Sequence, residues 1–134
     1  MKVLLDTNVL IAAFISHGTC ADVLEYCVLN HDLISSKPLI EEFQEKLKSK
    51  FRFSRAEVTQ ATKLFTPVLQ IVVPEKLEAR ICRDPDDDLV LATASAGKCN
   101  CILTGDKDLL ALKTFQNIDI LLPGDFWRYE ASEK

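Results

Sequence analysis

Apolar residues in this chain fall into short runs separated by polar breaks, and the spacing within each run decides the element it forms. Residues 2–5 are too few for a helix and end at Asp6, so a buried strand is predicted there. Residues 8–14 and 21–30 follow as helices, parted by a Ser-His-Gly turn, and residues 32–35 form a second strand. The segment 37–48 carries Leu39, Phe43 and Leu47 at helical spacing, with Ser36 as N-cap and Pro38 in the first turn, where proline is tolerated. Ser54-Arg55-Ala56-Glu57 has capping-box form and predicts a helix reaching Leu69, with a third strand over 70–73. The polar stretch after Pro74 breaks at Asp84-Pro85, because a residue before proline is pushed out of helical geometry. Residues 86–96 resume as a helix that is apolar nearly all round, expected to be buried and terminated by Gly97. Residues 101–104, 106–112, 118–122 and 124–130 complete the pattern as strand, helix, strand and helix.

Strands that are apolar throughout, alternating with helices along the chain, predict a parallel sheet covered on both faces: a three-layer α/β/α sandwich of about five strands. A length of 134 residues fits a single domain over 1–134. With 48% hydrophobic and 27% charged residues, four glycines and five prolines, the composition leaves little room for a long disordered segment. Asp6 and Asn8 interrupt the N-terminal apolar stretch, which argues against a membrane span or signal-peptide core, so a cytoplasmic location is expected. The five cysteines lack paired C-x-x-C spacing and read as reduced, mostly buried hydrophobes; Cys99-Asn100-Cys101 has no second pair to complete a soft-metal site. His17 and His31 read as isolated loop or surface residues.

In a parallel sheet the functional crevice lies outside the carboxyl ends of the strands, and acids fall there. Asp6 ends the first strand, and Asp106 follows the fourth after one glycine. Three acidic clusters, Asp6-Thr7-Asn8, residues 84–88 and Asp106-Lys107-Asp108, sit at or near strand–helix junctions. Each alone has an ordinary explanation, since aspartate is a favoured cap and turn residue; their joint occurrence weakens it. Carboxylates gathered together raise one another's pKa unless a cation intervenes. With two histidines in the chain the donors are oxygens, which favours Mg²⁺ or Mn²⁺ over a zinc centre. The net charge of −4 runs opposite to the basic excess of most nucleic-acid binders, so such a cation would have to supply the local positive charge. Helical phase places Glu42 at the edge of the Leu39, Phe43 and Leu47 stripe, and Glu41 and Glu45 toward solvent. On the later helix Asp88 shares a face with Leu91, Ala92 and Ser95 while Asp86 caps the first turn, which favours Asp88 as a ligand.

Taken in order and spacing, the segments LLDTNVLI, SKPLIEEF, RDPDDDLVLATASA and LTGDKDLL resemble the PIN-domain family, in particular its bacterial toxin-like (VapC-like) members. The resemblance covers nearly the whole chain. It implies a metal-dependent nuclease, most often acting on RNA, whose four acids fall on Asp6, Glu42, Asp88 and Asp106. Asn8, Thr104 and Asp108 match supporting polar positions, and the extra aspartates leave open a role for Asp84, Asp86 or Asp87 beside Asp88. The chemistry so implied is phosphodiester hydrolysis with one or two Mg²⁺ or Mn²⁺ ions held by Asp6, Asp88, Asp106 and Asp108. Glu42 would bind metal through water or orient the attacking water, with Asn8, Thr104 and Asp86 in support. Lys46, Lys50 and Arg52 lie in a basic stretch suited to RNA phosphates, although a solvated helical face is the more ordinary explanation. RNA as substrate, an antitoxin protein and a homodimer or larger homo-oligomer are the partners implied, with no membrane. Two competing readings remain at this point. One is a haloacid-dehalogenase-type phosphatase, whose acid/base aspartate would stand where this chain has Asn8; the other is a non-catalytic domain that binds RNA or protein.

Overall fold

In strand β1 (Lys2–Leu5), Val3 and Leu5 join one apolar core while Leu4 joins another, and all three are buried. Side chains alternate across a strand, so both faces of the sheet must be covered. The computed structural model, which describes residues 1–133, meets this demand with helices on each side. After β1 come α1 (Thr7–Ile15), α2 (Thr19–Asn30), β2 (Asp32–Ser35), α3 (Lys37–Ser49), α4 (Arg55–Phe65) and β3 (Leu69–Ile71). The chain continues through α5 (Pro85–Ala96), β4 (Cys101–Leu103), α6 (Lys107–Leu112), β5 (Thr114–Phe115), β6 (Ile118–Leu121) and α7 (Phe126–Ser132). The sheet order is β3-β2-β1-β4-β6-β5, parallel throughout except for the antiparallel pairing of β5 with β6. Helices α1 to α4 and α7 enclose the core of Val3, Leu5, Val23, Phe43, Phe65 and Phe126. Helices α5 and α6 cover the other face, around Leu4, Ile34, Val90, Leu91, Ile102 and Leu109. The α/β/α class read from the sequence is therefore the fold, with a sixth strand added.

That sixth strand was not predicted, because two residues are too few to show a period. Gln116 and Asn117 join it to β6 with φ of 49° and 67°, the left-handed values a tight hairpin requires. The helix opened by Ser54 stops at Phe65 rather than at Leu69. Pro67 cannot continue the helical ladder, so Thr66–Val68 tighten into one 3₁₀ turn and Leu69 already belongs to β3. His31 is half-buried rather than a free surface residue: its Nε2 lies 2.6 Å from Glu130 Oε2, and Tyr26 Oη donates to Glu130 Oε1 at 2.9 Å. This network ties α7 to the end of α2.

Gly97 closes α5, but for a reason other than left-handed backbone. Its φ is −81°, and the positive φ of 52° falls on Lys98. A Cβ at position 97 would stand 2.5 Å from Ile34 Cγ2 in the core between α5 and β2. Gly97→Ala is therefore expected to destabilise the protein by about 2 kcal/mol through overpacking. Adding Ile34→Leu, which removes the offending methyl, should recover part of that loss in urea melts. A fully stable Gly97→Ala protein would show that this approach is slack.

All five cysteines are free thiols, four of them buried and Cys20 half-buried. Burial pushes Cys27 and Cys99 up to about 12 and Cys82 up to about 11. Among the described residues no single helix is long and apolar enough to cross a membrane.

Candidate active site

The chain leaves β1 toward β2 on one side and β4 toward β6 on the other, so a crevice opens between the carboxyl ends of β1 and β4. Backbone hydrogen bonding runs one residue past the strands there, with Asp6 N–H donating to Leu103 C=O at 3.0 Å. Asp6 is 6% exposed. Its Oδ1 accepts from Thr7 N–H at 2.7 Å, and its Oδ2 accepts from the Thr104 hydroxyl at 2.8 Å. Burial raises the Asp6 carboxyl above its ordinary range; the bonds from Thr104 and Thr7 and the charge of Lys46 work against the rise, and Asp106 adds to it.

Thr104 also accepts from Asp106 N–H at 3.0 Å, so one hydroxyl sets the spacing between the acids that follow β1 and β4. Asp106 caps α6 by accepting from the N–H groups of Asp108 at 2.8 Å and Leu109 at 3.1 Å. Asp108 is held from outside by Arg83, whose Nη2 lies 3.0 Å from both carboxylate oxygens. Arg83 opens the segment RDPDDDLVLATASA but carried no expected role there, and it reaches Asp108 across 25 residues.

Of the aspartates on α5, Asp87 is the one grouped with Asp106 and Asp108. Carboxylate oxygens of Asp87, Asp106 and Asp108 lie within 4.8 Å of one another. Asp87 is 8% exposed, and its carboxyl is pushed up to about 6, first by burial and then by Asp106, Asp84, Asp6 and Asp108. Asp88, chosen from helical phase, sits elsewhere. Its oxygens accept from Cys82 N–H at 2.7 Å and Ile81 N–H at 3.1 Å, so it pins the segment ahead of α5. Asp84 caps α5 by accepting from Asp86 N–H at 2.9 Å, and Asp86 is exposed.

Helix α3 brings Glu42 to the rim half-buried, with Glu41 and Glu45 exposed on its outer face. Lys46 lies one turn on. Its Nζ is 2.9 Å from Glu42 Oε1 and donates to Asn8 Oδ1 at 3.2 Å. Lys50 and Arg52 lie beyond the end of α3, exposed, with no hydrogen bond or ion pair to the acids among the described residues.

Asp87, Asp106 and Asp108 offer hard, anionic oxygen donors with no imidazole or thiolate among them. The raised carboxyls of Asp6 and Asp87 record the repulsion and desolvation that a divalent ion would relieve. The residues fit Mg²⁺ or Mn²⁺ and do not fit a structural zinc.

Comparison with known proteins bears on what such a crevice is for. The profile of the PIN domain matches residues 2–108, most of the chain and all of these acids. This chain belongs to the PIN domain family. An uncharacterized protein of Methanocaldococcus jannaschii is 30% identical over 121 residues, a span covering 84% of this chain and 76% of that protein. The crystal structure of VapBC2 from Rickettsia felis bound to a DNA fragment from their promoter is similar in fold, with TM-score 0.65. At 19% identity the match covers 90% of this PIN domain and 97% of that chain. PIN domains are generally nucleases that use divalent metals, which supports a hydrolase acting on nucleic acid, and Asp87, Asp106 and Asp108 could bind such an ion.

Proposed function

We propose that this PIN domain, one domain over 1–134, is a Mg²⁺- or Mn²⁺-dependent endoribonuclease and the toxin of a toxin–antitoxin pair in the cytoplasm. The observation that carries the reading is the convergence of Asp87, Asp106 and Asp108, with Asp6 in electrostatic reach, at the switch point of the sheet. The fold shared with VapBC2, solved with promoter DNA, supports an antitoxin partner; a homodimer or larger assembly belongs to the same proposal.

Asp6, Asp87, Asp106 and Asp108 would hold the ion, with Asp87 in the place expected of Asp88. When bound, the ion supplies charge compensation for the scissile phosphate and acidifies a water for attack. Thr104 holds the Asp6 carboxylate and the backbone N–H of Asp106 with one hydroxyl, so little reorganisation is needed as substrate arrives. Glu42, next to the crevice, accepts a proton from the attacking water at its carboxylate. Lys50 and Arg52, exposed beyond the end of α3, offer their charges to the phosphates that flank the cleaved bond. Asn8 has no carboxyl proton to give, so the phosphatase reading lacks its acid.

The test is incubation of the purified protein with single-stranded RNA, with the matching DNA oligonucleotide and with a small phosphomonoester, in Mn²⁺, Mg²⁺ or chelator. RNA cleavage that needs metal is the expected result. Undiminished cleavage in chelator, or release of phosphate from the monoester alone, overturns the proposal.

A further inference from the structure

Two basic side chains engage the acids of the crevice, and they do so differently. Arg83 grips Asp108 from a side chain that is 88% exposed, where water and salt screen it. Lys46 is enclosed. Its side chain keeps 22% of its exposure, whereas Lys37 and Lys48 on the same helix are exposed. An isolated i,i+4 pair on a helix needs no third partner and adds little stability. Here the ammonium spans two helices, lying 2.9 Å from Glu42 Oε1 on α3 and 3.2 Å from Asn8 Oδ1 on α1, two residues past buried Asp6. Its charge also acts on Asp6, holding that carboxyl down against the effect of burial. Carboxylates at this rim thus already have a cation, supplied by the chain itself.

We propose that Lys46 is an internal counter-ion that occupies Glu42 and Asn8 beside Asp6 while the site is empty, and that it thereby sets how much divalent metal the domain needs before it loads. The proposal rests on the reading that the crevice takes a divalent ion. A positive charge fixed beside the acids opposes the arrival of another, and Glu42 can serve an incoming ion only by leaving the ammonium. The same charge relieves repulsion among the acids when no ion is present. Lys46 is thus a positioning residue whose removal should help the loaded state and harm the empty one. A merely structural lysine would harm both.

The experiment is calorimetric titration of the full chain with Mn²⁺, beside thermal melts in chelator and in Mn²⁺, for the wild type, Lys46→Met, Lys46→Arg and Arg83→Met. Lys46→Met is expected to bind Mn²⁺ about tenfold more tightly while melting lower in chelator. Lys46→Arg should behave as wild type, and Arg83→Met should change affinity by a few-fold at most. Lys46→Gln, also without charge but polar, takes the place of Lys46→Met should the latter fail to fold. Unchanged or weaker Mn²⁺ binding by a folded, charge-free variant overturns the assignment of Lys46 and leaves the metal reading intact. Absence of Mn²⁺ binding in the wild type and every variant overturns both.

Discussion

Asp6→Asn is expected to give a folded protein whose metal-dependent RNA cleavage is lower by about a thousandfold. The substitution keeps the shape of the side chain. An asparagine oxygen can still accept from Thr7 N–H, and its amide can donate to Thr104, whose hydroxyl proton is then free to turn elsewhere. What is lost is a negative charge that is 6% exposed and raised above its normal range by burial. Removing that charge should leave the melting temperature in chelator unchanged or slightly higher, which separates the chemical effect from unfolding. Cleavage by Asp6→Asn at the wild-type rate would leave the catalytic proposal without its central residue.

The contrast between neighbouring aspartates on α5 carries the second large effect. Asp87→Asn should lose at least a hundredfold in cleavage and gain stability in chelator above pH 6. With its folded pKa pushed from 3.8 to about 6, Asp87 contributes stability that is fully present below about pH 4. That contribution is lost as pH rises through 6, when burial and the neighbouring acids oppose ionisation. The loss comes to about 2 kcal/mol after allowance for solvent screening, and Asp87→Asn should not show it. Mn²⁺ should restore the wild type across the same window, and urea melts at pH 4 and 7 measure all of this. Asp88→Ala should do the reverse, costing about 2 kcal/mol by stranding the N–H groups of Cys82 and Ile81 while cleavage per folded molecule persists. A folded, inactive Asp88→Ala beside an active Asp87→Asn would return the role to Asp88.

Why the sequence pointed to Asp88 is a matter of helical phase. Helix α3 has a narrow apolar stripe of Leu39, Phe43 and Leu47, so Glu42 could be placed at its edge from spacing alone. Helix α5 buries Val90, Leu91, Ala92, Thr93 and Ala94 in succession, and a helix covered on nearly every side offers no outer face from which to count. Asp87 stands three, four and seven residues before Val90, Leu91 and Ala94, the side most deeply set in the core, but that preference emerges only once the neighbours of α5 are known. Asp6 and Asp106 needed no phase, because Asp6 follows its short apolar strand directly and Asp106 follows β4 after only Thr104 and Gly105, and a strand's carboxyl end fixes where the next residues lie. The same logic explains β5 and Arg83. A two-residue strand has no periodicity, and a side chain reaching Asp108 from a loop leaves no local pattern.

The elevated thiols of the core bear on which ions the crevice can choose among. Sulfur captures soft ions as thiolate, and at neutral pH groups titrating near 11 or 12 hold on to their protons almost completely. Copper or zinc that finds its way to this chain must reach sulfur that is mostly buried and displace its proton before it can compete with the aspartates for the ion. By hiding its sulfur, the fold leaves the contest to carboxylate oxygen, where small hard ions are at home.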